Sequence, residues 1–187
     1  KALTPEVRIV GVESSESACL AAALAAGSRV VLPEAGIFAD GVAVAQIGEN
    51  TWEVCKDYVD EVITCTPDEI CAAIKDTFDD TRAVSEPAGA LAVAGLKKYI
   101  EREQCTNKNL VAILSGANVN FDRMRYITLI AFRSNFEALL RQPIPVLPIG
   151  VRATYWTPCQ TRLTIIRQSL RSRFVGNVLY ELFLSLA

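Results

Sequence analysis

The chain contains no histidine. That absence removes Ser-His-Asp and Cys-His catalysis from what its own residues can perform, and with it the commonest zinc-ligand sets. Six cysteines are present, Cys19, Cys55, Cys65, Cys71, Cys105 and Cys159, and no two of them stand in a Cys-x-x-Cys pair. The usual zinc and dithiol spacings are therefore missing. Each cysteine sits in an apolar segment, which reads as a buried reduced thiol in an intracellular protein. No run of about 18 apolar residues occurs, so no membrane span is expected. Lys1-Ala2-Leu3-Thr4-Pro5 carries no signal-peptide pattern and no initiator Met, which points away from secretion and towards a chain that begins mid-protein. Excess positive charge is absent too: 19 Lys and Arg face 21 Asp and Glu, for a net charge of −2. Phosphate-backbone binding needs clustered cations, so no nucleic-acid partner is expected. Gly-x-Gly-x-x-Gly, Gly-x-x-x-x-Gly-Lys-Ser and His-Glu-x-x-His are all missing. The first of these absences counts against an unrelated nucleotide-binding α/β domain.

Strands and helices alternate through the first two thirds of the chain. Val7–Val12 is a short β-branched run that predicts a buried strand. Glu13-Ser14-Ser15 offers polar caps before a helix over Glu16–Ala26, which Gly27 ends. Arg29–Leu32 reads as a second short strand closed by Pro33, and residues 34–48 as loop. Thr51 is the expected cap of a helix reaching Val59, and Glu61–Cys65 reads as a strand. Thr66-Pro67-Asp68-Glu69 combines a Thr cap, a proline in the first turn and two acids, and predicts a helix to about Asp80. A further helix is expected over Ala88–Glu103, a strand over Leu110–Leu114 and a helix over Asp122–Ala131. This pattern predicts an α/β fold with an open, mainly parallel sheet between helix layers. Ligands in such folds bind at the C-terminal ends of strands, so the loops after Val12, Cys65 and Leu114 are the places to search.

The composition changes near residue 132. From Arg133 onward there are seven Arg, no Lys, no Asp and two Glu, together with Pro143, Pro145 and Pro148. Two units are expected: residues 1–132, and a divergent tail over residues 133–187 of unknown fold, either a small added arm or the product of a shifted reading frame.

Three glycine-bearing segments stand out in order: Phe38-Ala39-Asp40-Gly41-Val42, Ser85-Glu86-Pro87-Ala88-Gly89-Ala90, and Leu114-Ser115-Gly116-Ala117-Asn118-Val119-Asn120-Phe121-Asp122. Taken singly they are an ordinary turn, a helix start and a strand end. Together with GVESSESACLAAALAAG and DEICAAIKD, they resemble the fold type II family of pyridoxal-phosphate enzymes, and biosynthetic threonine dehydratases (threonine ammonia-lyases) most closely. The resemblance covers about residues 1–127 and is to the C-terminal half of the family's catalytic domain. It implies an incomplete three-layer domain like that of the tryptophan synthase β subunit.

The resemblance implies roles for particular residues. Ser115 takes the position that faces the cofactor ring nitrogen. A neutral hydroxyl there weakens the ring as an electron sink and favours elimination. Glu86 lies where the family carries a carboxylate close to the ring; read from its position alone it is a first-turn helix acid, and both readings stay open. Gly41 would line the pocket by close backbone approach, with Asp40 as a loop cap, and Gly116 completes the set of cofactor-binding candidates. Relatives similar to serine racemase hold a divalent cation at the position of Glu13 with an acid six residues on. Here that second residue is Cys19, with Ser17 between, and a thiol is a poor ligand for Mg²⁺ or Ca²⁺. No metal, or at most a monovalent cation, is expected.

The family's Schiff-base lysine, and the tetraglycine loop whose N–H groups cradle the phosphate, belong upstream of Lys1, which would place Lys1 inside the helix after that loop. Lys97 and Lys98 sit late in a helix and do not replace that lysine, so no catalytic residue is expected in the chain. After Arg125 the charged, Glu-rich linker to an isoleucine-binding regulatory region is replaced, and feedback control by this chain is not expected. The resemblance thus implies a fragment of a pyridoxal-phosphate lyase that acts on L-threonine, with L-serine as a second substrate. The complete enzyme would be a homo-oligomer, a tetramer, in the cytoplasm or a plastid. The rival readings are a non-catalytic binding or assembly module on the same half-fold, and a related serine dehydratase or serine-racemase-like enzyme.

Overall fold

The computed structural model describes residues 1–141, 162–167 and 180–185. Five strands form one sheet: β1 (Arg8–Ser14), β2 (Glu61–Cys65), β3 (Asn109–Leu114), β4 (Arg162–Arg167) and β5 (Tyr180–Ser185). Their order across the sheet is β2-β1-β5-β3-β4, and every pairing is parallel. The helices are α1 (Cys19–Ala26), α2 (Glu49–Tyr58), α3 (Pro67–Thr81), α4 (Pro87–Glu103) and α5 (Phe121–Arg141).

Strand alternation sorts the helices into two layers. Val10, Val12, Ile63 and Cys65 join a core with α3, α4 and the first half of α5. Val62 packs instead against a second cluster made by Cys19, Leu20 and Ala23 of α1, Trp52 and Cys55 of α2, and Ile47. Successive strand residues point to opposite faces, so the two clusters cover opposite sides of the sheet, as a three-layer α/β domain requires. Fully burying a leucine-sized side chain is worth ~2 kcal/mol. Ile70, Leu91, Leu96 and Leu110, all essentially fully buried, therefore make the α3–α4–β3 sandwich the main source of cohesion. The opposite, N-terminal edge of the sheet is tied by charge. Glu61 binds both Arg8 at 3.0 Å and Arg102 at 2.8 Å, and the two guanidinium groups lie over the buried Tyr99 ring.

The expected start of α3 is observed. The Glu69 N–H donates to Thr66 Oγ1 at 3.3 Å, and the Thr66 N–H donates to Glu69 Oε2 at 2.7 Å. Lys98 adds an ion pair to Glu69 at 2.9 Å. Burial raises the Glu69 pKa, but these bonds outweigh it and hold the carboxyl below its ordinary value. Thr66→Ala is expected to lower stability by ~1 kcal/mol in a urea melt; an unchanged midpoint would show that the lysine pair alone secures this helix end.

Several expectations differ from the structure. Arg29–Leu32 is not a strand. Both neighbours of β1 are already taken by β2 and β5, and this segment packs on residues 45–47 instead, with the Leu32 N–H on the Ala45 carbonyl and Arg29 Nε on the Ile47 carbonyl. α1 begins at Cys19, not Glu16, because its first amides are taken by a carboxylate on β1. α2 is capped by Gly48 rather than Thr51. Residues 1–7 are not helical. α5 runs on through residue 132 to Arg141, and residues 162–167 and 180–185 of the tail enter the same sheet. The cysteine expectation holds for Cys19, Cys55, Cys65, Cys71 and Cys105, all free and buried; Cys159 lies outside the described residues. Burial pushes the Cys65 and Cys71 thiols up to about 12.

Candidate functional site

All strands being parallel, their C-terminal ends share one edge. Of the three loops expected to hold a site, the one after β2 does not exist, since Cys65 passes directly into the Thr66 cap. The ends of β1 and β3 both open onto loops.

At the end of β3 the chain turns against the first turn of α4. The Ser115 N–H donates to the Gly89 carbonyl at 3.3 Å, and the Glu86 N–H donates to the Gly116 carbonyl at 3.2 Å. The approach is so close that a Cβ on Gly89 would overlap the Ser115 carbonyl oxygen. Gly116 has φ +57°, a left-handed conformation suited to glycine, and a Cβ there would fall on the Glu86 carboxylate. Ser115 is half-buried and Gly116 exposed.

The Glu86 side chain does not cap its own helix. Its Oε2 accepts the Asn118 N–H at 3.0 Å, so it braces the turn after β3. Glu86 thus stands at the N-cap of α4 with its carboxylate reaching across to residues 116–118. From the other side comes the 3-10 turn Asp40–Val42. A Cβ on Gly41 would come within 2.9 Å of the Ala88 Cβ and 3.6 Å of Glu86 Oε1. Ala39 and Val42 anchor this turn in the core. Asp40 accepts the Gly41 N–H at 3.1 Å and pairs with Arg123 of α5 at 3.4 Å. Ser115, Gly116, Glu86 and Gly41, widely separated in sequence, therefore form one cluster.

Two further members carried no sequence signal strong enough to select them. Asn118 contributes only its backbone N–H, which any residue supplies. Ser85, beside Glu86, is 1% exposed, and its hydroxyl has no hydrogen-bond partner among the described residues. Lys97 and Lys98 do not join the cluster: Lys97 bonds Asp76, and Lys98 bonds Glu69 and the Thr64 carbonyl. An open cavity of about 560 Å³ lies on the same edge, between Gly36–Phe38 and the first turns of α5, and is lined by none of the four cluster residues. Strand-end position, mutual bracing and glycine approach set the cluster apart from this cavity as the candidate site.

Glu13 is a separate arrangement at the end of β1. It is buried, and its two oxygens accept the Leu20 and Ala21 N–H groups at 2.8 Å each, with the Cys19 thiol at 3.7 Å. Both oxygens are thus committed to the N-terminus of α1, and no group of three or more His, Cys, Asp or Glu that could hold a metal occurs among the described residues. Burial, with the nearby Glu13 charge, raises the Cys19 thiol to about 11.

Residues 1–116 match the family model described as pyridoxal-phosphate dependent enzyme. The chain belongs to that family. Among its relatives, the biosynthetic L-threonine dehydratase of Burkholderia multivorans is 56% identical over 127 residues, 68% of this chain and 25% of that protein. The Escherichia coli biosynthetic L-threonine dehydratase is 51% identical over 146 residues, 78% of this chain and 28% of that one. That stretch is longer than the one the motifs cover, and similarity continues through α5. The solved structure of the processed form of threonine deaminase isoform 2 from Solanum lycopersicum superposes with a TM-score of 0.69 at 41% identity, covering 70% of this chain and 38% of that one. The chain spans about a quarter of the length of these curated relatives. As a family member it has the partial fold type II architecture expected from its motifs. No described helix is long and apolar enough to cross a membrane.

The cluster suits one part of the family's cofactor. It offers a hydroxyl, a carboxylate and glycine backbone packed closely on that carboxylate and on Ala88, polar groups of the kind that suit a ring nitrogen. Within it no cation or free N–H row is set out for a phosphate.

Proposed function

We propose that this chain forms the ring-facing wall of the cofactor pocket in a pyridoxal-phosphate-dependent threonine dehydratase, a lyase that converts L-threonine to 2-oxobutanoate and ammonia in amino-acid biosynthesis. The observation that carries this reading is the locking of Ser115–Gly116 onto the first turn of α4, beside Glu86 and Gly41. Pyridoxal phosphate, when bound, supplies a conjugated ring that accepts the electron pair left on the substrate carbon after deprotonation. Ser115 presents a neutral hydroxyl to the ring nitrogen. Glu86, braced by Asn118, holds the turn that carries Ser115. Gly41 and Gly116 let the Asp40–Val42 turn and the turn after β3 close onto Ala88 and Glu86, which fixes this wall of the pocket. Lys97 and Lys98 take no part in this wall, being bound to Asp76, Glu69 and the Thr64 carbonyl. Exposed Ile37, Phe121, Leu129 and Phe132 around α5 suit coverage by the rest of a larger, oligomeric enzyme. L-Serine is the second substrate candidate.

The test is a chimera in which this chain's residues replace the matched 127 residues of the Burkholderia multivorans enzyme. Formation of 2-oxobutanoate from threonine is expected. Ser115→Ala is expected to reduce kcat by roughly tenfold to a hundredfold with little change in melting temperature, as loss of one positioned polar contact does. A chimera that melts cooperatively like its parent yet deaminates neither threonine nor serine would overturn the reading.

A further inference from the structure

One part of the wall formed by Glu86, Gly41 and Ser115–Gly116 is held from outside the cluster. Residues 37–42 meet the wall at Gly41, where a Cβ would come within 2.9 Å of the Ala88 Cβ. The inner side of this segment is anchored by buried Ala39 and Val42, while Ile37 and Asp40 stand exposed. On the exposed side the polar contacts run to Arg123, in the first turn of α5. Its Nη2 donates to the Ile37 carbonyl at 3.3 Å, and its Nη1 pairs with Asp40 Oδ2 at 3.4 Å. The other Asp40 oxygen accepts the Gly41 N–H at 3.1 Å. The guanidinium is thus two contacts away from the glycine that closes the wall. Phe38 adds a ring contact with Tyr126, about one turn further along α5, at 6.0 Å between centroids.

Arg123 is also joined to the opposite side of the wall through its own backbone. Its N–H donates to the Asn120 carbonyl at 3.0 Å, and Asn118, two residues before, gives its N–H to Glu86 Oε2 at 3.0 Å. Glu86 Oε1 in turn lies 3.6 Å from where a Gly41 Cβ would stand. The contacts therefore close a circuit: Glu86, Asn118, the turn into α5, Arg123, Asp40, Gly41 and Glu86 again.

We propose that, on the cofactor-pocket reading above, Arg123 is a positioning residue that fixes how tightly this wall closes on the ring. It acts through Asp40 and the Ile37 carbonyl, and keeps Gly41 against Ala88 and Glu86. The shape of the group matters as well as its charge. A planar guanidinium offers N–H groups at a fixed spacing to two acceptors, whereas a lysine ammonium is a point charge on a flexible stem. Both side chains are partly exposed, so the pair adds little to global stability. Its effect is local, on the opening of a short surface segment.

Two measurements test this, and neither needs turnover. In the full chain, hydrogen exchange is followed at the Gly41, Val42 and Ala43 amides, whose acceptors lie in residues 39–40. Arg123→Ala is expected to speed exchange there roughly two- to fivefold, the factor an exposed pair supplies, without moving the β1 amides or the melting temperature. Arg123→Lys should do nearly the same. So should Asp40→Asn, which keeps an acceptor for the Gly41 N–H, and combining it with Arg123→Ala should add little, since both break one link. In the chimera described above, equilibrium dialysis should show the pyridoxal phosphate dissociation constant raised by a similar factor in Arg123→Ala and Arg123→Lys. It should be unchanged in Lys56→Ala, which removes an exposed pair within α2. Unaltered exchange in Arg123→Ala, wild-type behaviour of Arg123→Lys, additive effects with Asp40→Asn, or an unchanged dissociation constant each overturn the proposal. A chimera that binds pyridoxal phosphate but is inactive overturns only the reaction proposed above; one that binds none overturns the cofactor wall, and the role of Arg123 with it.

Discussion

Replacing Gly89 with alanine is expected to separate β3 from α4 and to lower stability by ~3 kcal/mol or more, at the upper end of overpacking penalties. The added Cβ would overlap the Ser115 carbonyl oxygen, with the Gly116 carbonyl oxygen 2.7 Å away. These are backbone atoms, so no rotamer change relieves the clash. Either the strand end or the helix start must move, and the Ser115 N–H bond to Gly89 is lost as it does. Gly27→Ala is the control. Gly27 has φ +67°, and nothing lies within 4 Å of where an alanine methyl would stand, so only the left-handed strain of ~1 kcal/mol applies. Urea melts of the two variants should differ by the remainder. Equal losses would mean that the α4–β3 contact yields easily, and that Ser115 is not rigidly held.

The second large effect is expected at Glu13. Glu13→Ala removes the acceptor for two α1 amides, and Ala18, at the helix cap, has no side chain to replace it. A loss of ~2 kcal/mol is expected from stranded donors in a buried setting. Glu13→Gln isolates the charge. Burial raises the Glu13 pKa, and the opposing bonds from Leu20, Ala21 and Cys19 do not cancel it. The folded chain therefore holds this proton more tightly than the unfolded chain. Stability from the group is complete below the ordinary carboxylate range and is lost as pH rises through the folded value. The melting temperature of wild type relative to Glu13→Gln should fall as pH is raised from that range to neutrality. A flat difference, or one moving in favour of wild type, would refute the assignment.

The parts of the fold that could be read from the sequence are those whose causes are local. Glu61–Cys65 is a short apolar-rich run between two helix signals, and Thr66 to Glu69 forms a cap from four adjacent residues, so both are found where expected. Arg29–Leu32 has the same β-branched look, but strand status depends on a free neighbour in the sheet, which no window of sequence contains. The start of α1 is displaced by Glu13, a cap supplied from another element. At the site, glycine and serine identities are informative because a close approach restricts what can stand there, as at Gly116 and Gly41. Asn118 is silent in the sequence because it acts through its backbone, and Ser85 because an unpartnered buried hydroxyl leaves no trace in composition. The tail is the least readable. The two strands among its described residues are recognisable only by what lies beside them.

The position of β5 also bears on how the chain reaches its native state. Arg8 pairs with Glu181, almost the whole chain apart. Closing so long a loop costs entropy before any contact repays it, and folding rates fall as such separations come to dominate a topology. During synthesis β1, β2 and β3 leave the ribosome long before the residues that lie between β1 and β3. The nascent chain must hold two adjacent strand edges open for seconds, at synthesis rates of about 5–20 residues per second. Its exposure to aggregation and to chaperones is thus set by how late its central strand arrives.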